Sequence, residues 1–492
     1  MSEKPPDRPP NPNRPPSPVH DFRRHGHALV DWIADYFEHV ERYPVLSRVK
    51  PGDITTALPD HAPEDPEPFE AVMADFERIL VPGLTHWNHP GFLAYFGITG
   101  SAPGALAEFL AAALNQQAML WRTSPAATEL EAVALGWLRR LIGLPDSFEG
   151  VIYDTASIAT MHALVAARQL AVDGARTKGL AGRSDVPPLR VYCSDQTHSS
   201  IDKGVIAIGL GHEALRKIPS DEAYRMRVDL LREAIAEDRA AGRLLIAVVA
   251  TVGTTSATSI DPVPEIADIC ASEHLWLHVD AAYGGVAAML PSHAHVLTGA
   301  DRAESVVVNP HKWLFTPVDL SAFYSRRMDA VRAAFALTPD YLRTREDAEV
   351  RNLMDTGIQL GRRFRALKLW MVLRWFGARA IRAHLAEHIR LAQLVASWVD
   401  AHDDFERLAP VPFSVVCFRW NPKSAHLSAM ELDAANERLV DLVNATGEIF
   451  LSHTRLRGCV AIRIAIGHID TAERHIVRAW ELLMSLTSHN LR

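Results

Sequence analysis

Asn309-Pro310-His311-Lys312-Trp313 stands directly after the short apolar run Ser305-Val306-Val307-Val308. Thirty-two residues before Lys312 comes Asp280, in Trp276-Leu277-His278-Val279-Asp280-Ala281-Ala282-Tyr283. Each run is short and apolar, as a buried strand is, and Lys312 and Asp280 both fall at a strand's tail. Taken singly, such a lysine is usually a solvated surface residue and such an aspartate a turn or helix cap. The pair, with His311 beside the lysine, has a more specific chemical use. Lysine supplies an amine for a Schiff base with an aldehyde, and aspartate keeps a pyridine nitrogen protonated, which makes the ring an electron sink. Those are the two groups that pyridoxal phosphate requires.

The surrounding chain supports the strand reading. Val151-Ile152-Tyr153, Leu189 to Cys193, Leu244 to Thr251, Leu275 to Val279 and Ser305 to Val308 are short apolar runs. Helical stretches, such as Ile158 to Leu170 and Pro264 to His274, alternate with them. This pattern predicts an α/β fold with a mostly parallel sheet covered on both faces. Ligands of such sheets bind beyond the carboxyl ends of the strands. Asp280, Asn309 and Lys312 all lie there.

Outward from this centre, residues 1–19 are proline-rich and polar and predict a disordered tail. Residues 20–100 read as a helical segment too thin in core to stand alone, with helices over about 20–40 and 69–80. Residues 101–367 hold the strand–helix alternation. Residues 368–492 read as a smaller α+β domain, after a long helical stretch broken near Gly377. The net charge of −8 argues against nucleic-acid or anionic-membrane partners. No apolar run approaches the roughly 20 residues that cross a bilayer. Cys193, Cys270, Cys417 and Cys459 are scattered without metal or disulfide spacing. A cytoplasmic protein with no bound metal is expected.

Phosphate binding calls for backbone N–H donors and hydroxyls at the positive end of a helix. Thr155-Ala156-Ser157 lies between a strand and a helix, where those donors would be, although an ordinary N-cap explains it equally well. Ala282 falls on the same side of its strand as Asp280 and offers a small surface to one ring face. His198 is a candidate for the other face, and Thr255 for the ring's phenolic oxygen. Asp261 is either a supporting charge or the cap before Pro262. Gly209-Leu210-Gly211 fits no nucleotide fingerprint.

Five segments in order resemble the aromatic-L-amino-acid decarboxylases, group II pyridoxal-phosphate-dependent enzymes. They are Asn88-His89-Pro90 through Ala94-Tyr95-Phe96, Ser124-Pro125-Ala126-Ala127-Thr128-Glu129-Leu130-Glu131, Trp276 to Tyr283, Asn309 to Trp313, and Leu360-Gly361-Arg362-Arg363-Phe364-Arg365. The resemblance runs from about residue 20 to the C-terminus and is read as that of a bacterial-type member. It implies fold type I, the aspartate-aminotransferase-like fold, and decarboxylation of an aromatic amino acid to its amine. It implies Lys312 as the Schiff-base lysine, Asp280 at the pyridine nitrogen, and His198 and Ala282 on the two ring faces. Thr155, Ala156, Ser157 and Asn309 would hold phosphate, with Thr255 near the phenolic oxygen and His311 near the substrate. Tyr341 matches the tyrosine of a mobile loop that closes over the site and takes part in reprotonation. Trp87, Tyr95, Phe96, Ile98, Met119 and Gly361 would line the substrate pocket. A homodimer is implied, with the N-terminal helices wrapping the partner.

The pattern departs at Gly97-Ile98, at Gln117 and Met119, and at Tyr153-Asp154, where relatives carry other residues. These changes leave the cofactor groups in place and bear on substrate identity. Gly361 matches the residue that accompanies indolic substrates in plant members. Three alternatives remain: an aldehyde synthase of the same family, a fold type I transaminase, and a non-catalytic interaction protein of the same fold, which would be expected to have lost Lys312 or Asp280. Retention of His198 and Tyr341 weighs against the first, and the His311-Lys312 pair against the second.

Overall fold

The computed structural model describes residues 21–337, 346 and 349–490. The expected tail, residues 1–19, lies outside them, as does Tyr341. The chain divides into two compact units, residues 1–86 and 87–492.

In the first unit, Phe22–Glu38 forms a helix, as its apolar spacing predicts, yet none of its residues is buried. Its aromatic face holds the unit together. Trp32 stacks on Tyr36 at 5.6 Å and meets Phe76 edge-on at 5.2 Å. The Tyr36 hydroxyl lies 3.0 Å from His86 Nδ1.

The second unit is built on a seven-stranded sheet: β1 (Glu149–Tyr153), β2 (Leu189–Ser194), β3 (Leu215–Ile218), β4 (Leu244–Thr251), β5 (Trp276–Asp280), β6 (Ser305–Val308) and β7 (Ser321–Ser325). Their order is β1-β7-β6-β5-β4-β2-β3, and β7 runs antiparallel to both its neighbours. The β4 sequence Leu-Leu-Ile-Ala-Val-Val-Ala-Thr is apolar throughout because helices cover both faces. The helix Ala156–Ala171 packs across β4, β5 and β6, and Ala159, Ala163, Ala166 and Ala167 are its buried contact face. Small side chains there let the helix axis approach the sheet, which sets where its N-terminus points.

A second sheet, order β10-β11-β9-β8, comprises β8 (Phe405–Arg407), β9 (Val415–Trp420), β10 (Ser452–Leu456) and β11 (Cys459–Ala465), all antiparallel. Residues 87–100 go with this larger unit. The Leu93 N–H donates to Phe450 O at 3.0 Å, and the Ala465 N–H to Leu93 O at 2.8 Å. The long helical stretch Ala366–Ala401 is interrupted at Gly377, where φ is +70°, a conformation glycine adopts without steric cost.

His89, His388, His468 and His475 are buried together. The Trp313 indole N–H donates to His388 Nδ1 at 2.9 Å, so the cluster adjoins the lysine motif. Burial, then the charges of neighbouring histidines, holds His388 down to about 4 and His468 to about 3. An unfolded chain protonates such groups near pH 6.5. Between about pH 6.5 and 4 the unfolded state therefore binds more protons, and stability is lost as pH falls. A shift of this size withdraws on the order of 3 kcal/mol per group. The thermal midpoint is expected to fall steadily across that window, and less steeply in His468→Asn. A flat profile would contradict it.

Candidate active site

Three strands end at one edge of the sheet. β5 delivers Asp280, β6 delivers Asn309 and Lys312, and β1 leads through Asp154 to the N-terminus of the helix Ala156–Ala171. Lys312 sits in a one-turn helix, Pro310–Trp313, whose start is closed by Lys312 N–H donating to Asn309 O at 3.0 Å. Its Nζ lies 5.1 Å from the centre of the Phe96 ring. Burial pushes the amine below its ordinary value; Asp280 opposes that shift and Arg463 adds to it. Electrostatic coupling to Asp280 and Arg463 places all three charges within one region.

Asp280 is buried, and its Oδ1 accepts the Ala282 N–H at 3.1 Å. The Asn309 N–H donates to Ala282 O at 3.0 Å, which ties the tails of β5 and β6 together. Asn309 Oδ1 accepts the Ser321 hydroxyl at 2.7 Å, so the side chain has only its N–H donors left to offer an anion. Thr155 is the N-cap, its Oγ1 accepting from Ile158 N–H at 3.4 Å, while Ser157, the second residue of the helix, is exposed. The Thr155 N–H is taken by Asp154 Oδ1 at 2.8 Å. Asp261 resolves as a clamp: its two oxygens accept the Met226 and Thr251 N–H groups at 2.7 and 2.8 Å.

Both histidines have assignable tautomers. His311 is buried, and Nδ1 accepts the Leu320 N–H at 2.8 Å. Burial, then the charge of Lys312, holds it down to about 3, so it is neutral with its proton on Nε2. His198 Nδ1 accepts the Ser200 N–H at 3.1 Å, which again leaves Nε2 to carry the proton. Desolvation, then Lys312, lowers its pKa, and Asp280 opposes this. His198, Lys312 and Asp280 are therefore brought together as the sequence predicts. Thr255 is exposed, at the loop after β4.

The expected substrate residues fall into two groups. Trp87 stacks on Phe92 at 4.3 Å and on Tyr95 at 6.1 Å, and Tyr95 meets Phe450 edge-on at 5.8 Å. Phe96, next in sequence, lies against Lys312 rather than on those rings, and Ile98 is half-buried. Met119 and Gly361 belong to another wall. Met119 O accepts the Met354 N–H at 2.9 Å, and a Cβ at Gly361 would lie 3.4 Å from Gln117 Nε2. No hydrogen bond ties either to Lys312 among the described residues.

Sequence reading overlooked the support behind Lys312. Phe96 stacks on Tyr283 at 4.0 Å, and Tyr283 on Trp313 at 4.9 Å. The Tyr283 hydroxyl bonds to the Ser414 hydroxyl at 2.6 Å, and Ser414 donates to Ile466 O at 2.6 Å. Tyr283 and Trp313 border the two quoted motifs, so their adjacency was the available signal. Arg463, which also lies over Phe96 at 4.5 Å, had none.

An amine held partly out of water, a carboxylate at the adjacent strand end and a donor-rich helix N-terminus fit pyridoxal phosphate. Residues 51–421 match the family model described as the pyridoxal-dependent decarboxylase conserved domain. The chain belongs to this family. It is a pyridoxal-phosphate-dependent carboxy-lyase of fold type I. The decarboxylase is 38% identical to tryptophan decarboxylase 2 of Oryza sativa subsp. japonica, over 95% of each chain. It is also 38% identical to phenylacetaldehyde synthase of Arabidopsis thaliana, over 96% of each. The crystal structure of Oryza sativa TDC with PLP and tryptamine superposes with a TM-score of 0.93 at 36% identity, covering 98% of this chain and 100% of that one. These relatives are plant proteins, and the expected bacterial-type placement is not supported.

Asp280→Asn keeps the size of the side chain and removes its charge. Turnover is expected to fall at least about 100-fold while the cofactor is still retained. Rate and bound-cofactor assays would check this; undiminished turnover would remove Asp280 from the reaction.

Proposed function

We propose that this decarboxylase converts an aromatic L-amino acid to its amine and carbon dioxide. The observation that carries the reading is the aromatic cluster of Trp87, Phe92, Tyr95 and Phe450, which the chain joins at Tyr95 to Phe96, the ring beside Lys312. Trp87 and Tyr95 are 36% and 53% exposed, large apolar groups left open in the segment that leads to Phe96. Relatives named for tryptophan and tyrosine support the same class.

Bound pyridoxal phosphate supplies an aldehyde for an amine and a ring that takes up the electron pair of the breaking carbon–carbon bond. The protein does the rest. Lys312 would present its amine, and the Asp280 carboxylate would hold a proton at the ring nitrogen. Thr155, Ala156, Ser157 and Asn309 would bind the phosphate, with Thr255 near the phenolic oxygen. Ala282 and His198 would cover the ring faces. His311, neutral and protonated at Nε2, donates towards the substrate from a fixed position. The aromatic wall excludes water and orients the substrate, so that its carboxylate rather than another bond is set to break. Tyr341 is assigned the return of a proton to the α-carbon.

The working unit is proposed to be a cytoplasmic homodimer. On the helix Ala102–Leu114, Leu106, Leu110 and Leu114 recur at four-residue spacing and are 42%, 48% and 55% exposed. A second copy covers such a stripe without further partners. The four cysteines are unpaired, as in a reducing compartment. No described helix is long and apolar enough to cross a membrane.

A carbon-dioxide-release screen over the common amino acids, 3,4-dihydroxyphenylalanine and 5-hydroxytryptophan is expected to single out aromatic substrates, with amine formed and no hydrogen peroxide. Peroxide in step with carbon dioxide would establish an aldehyde synthase instead, and release from non-aromatic substrates alone would overturn the substrate class. Light scattering is expected to give twice the chain mass for the wild type, and a lower mass for Leu110→Glu.

A further inference from the structure

Arg463 projects from β11, in a strand that otherwise reads as core: Cys-Val-Ala-Ile-Arg-Ile-Ala. It is 4% exposed. All three of its nitrogens donate to main-chain oxygens: Nε to Ser256 O at 3.1 Å, Nη2 to Thr255 O at 3.3 Å and Nη1 to Tyr95 O. The ionisable groups acting on it are Cys417 and Tyr283, with no carboxylate among them in the described residues. A buried guanidinium without a counter-charge is costly, and a strand position of this kind would be filled more stably by an apolar side chain.

Its surroundings give the charge a use. The guanidinium carbon lies 4.5 Å from the centre of the Phe96 ring, and Lys312 Nζ lies 5.1 Å from the same centre. The two cations share one ring, which attracts both and holds them near each other. The charged groups that act on Lys312 are Asp280 and Arg463; His198 and His311 are near enough to feel the lysine. Asp280 alone would favour a protonated Lys312, and a protonated amine cannot attack an aldehyde. Arg463 opposes Asp280. Its three bonds also span two parts of the site, the Thr255–Ser256 loop and the Tyr95–Phe96 wall.

We propose that Arg463 is a positioning residue of the site, fastening the Thr255–Ser256 loop to the Tyr95–Phe96 wall while its charge keeps the Lys312 amine free to react. The proposal rests on Lys312 being the cofactor-binding lysine.

The test is the rate at which the full-length protein, freed of cofactor, captures added pyridoxal phosphate, followed by absorbance as pH rises from 6 to 10.5. The wild-type midpoint is expected below lysine's ordinary value of 10.5. Arg463→Met is expected to raise it by about one pH unit, slowing capture near neutrality roughly tenfold. Arg463→Lys keeps the charge and loses the fork, so the midpoint stays near the wild-type one while cofactor release becomes several-fold faster. A folded Arg463→Met with the wild-type midpoint overturns the proposal, as does an Arg463→Lys midpoint that moves as far as that of Arg463→Met. Where Arg463→Met does not accumulate as folded protein, Arg463→Gln replaces it. A wild-type midpoint at 10.5 overturns the proposal without any variant. Capture at a different lysine, read by peptide mapping, would overturn the cofactor assignment itself.

Discussion

A lysine amine cannot be both fully solvated and reactive near neutral pH. In water it is protonated, and only partial burial or a neighbouring positive charge frees it. Lys312 meets this constraint by standing at the end of β6 against Phe96, with Asp280 and Arg463 pulling its proton equilibrium in opposite directions. The rest of the larger unit serves to hold that balance. The stack Phe96–Tyr283–Trp313 carries the lysine's surroundings into the core, and the Tyr283–Ser414–Ile466 bonds anchor the stack to the segments flanking the second sheet.

The parallel sheet makes this arrangement possible by placing strand tails side by side. β5 and β6 pair with Asp280 opposite Val307, so the carboxylate and the lysine turn emerge from neighbouring strands. The helix after β1 adds its N-terminus at the same edge, because its alanine face lies close on the sheet. Neutral His311 and His198 complete the ring of polar groups without adding charge that would compete with the lysine.

Much of this was legible from sequence because the chemistry is local. Asp280 closes one short apolar run and Lys312 follows another by four residues, and Ser305–Val308 and Leu244–Thr251 form strands over the residues the apolar pattern marks. The break at Gly377 was also visible, since glycine alone takes that backbone angle cheaply. Contributions from distant chain were not legible. β7, with only Ala322-Phe323-Tyr324 between serines, carries too short an apolar signal to be seen, yet it joins β1 to β6. Arg463 is one charge inside a core strand, and nothing near it in sequence indicates that it faces Phe96. The N-terminal boundary shifted for a similar reason: Leu93 is pinned by Phe450 and Ala465, far along the chain.

The central claim is that one lysine, Lys312, carries the cofactor. The most direct measurement is borohydride reduction of the purified yellow protein followed by proteolysis and mass mapping of the modified peptide. A single phosphopyridoxyl group on the peptide containing Asn309-Pro310-His311-Lys312-Trp313 is the predicted result. Absence of any fixed label, or its appearance on another lysine, would contradict the account.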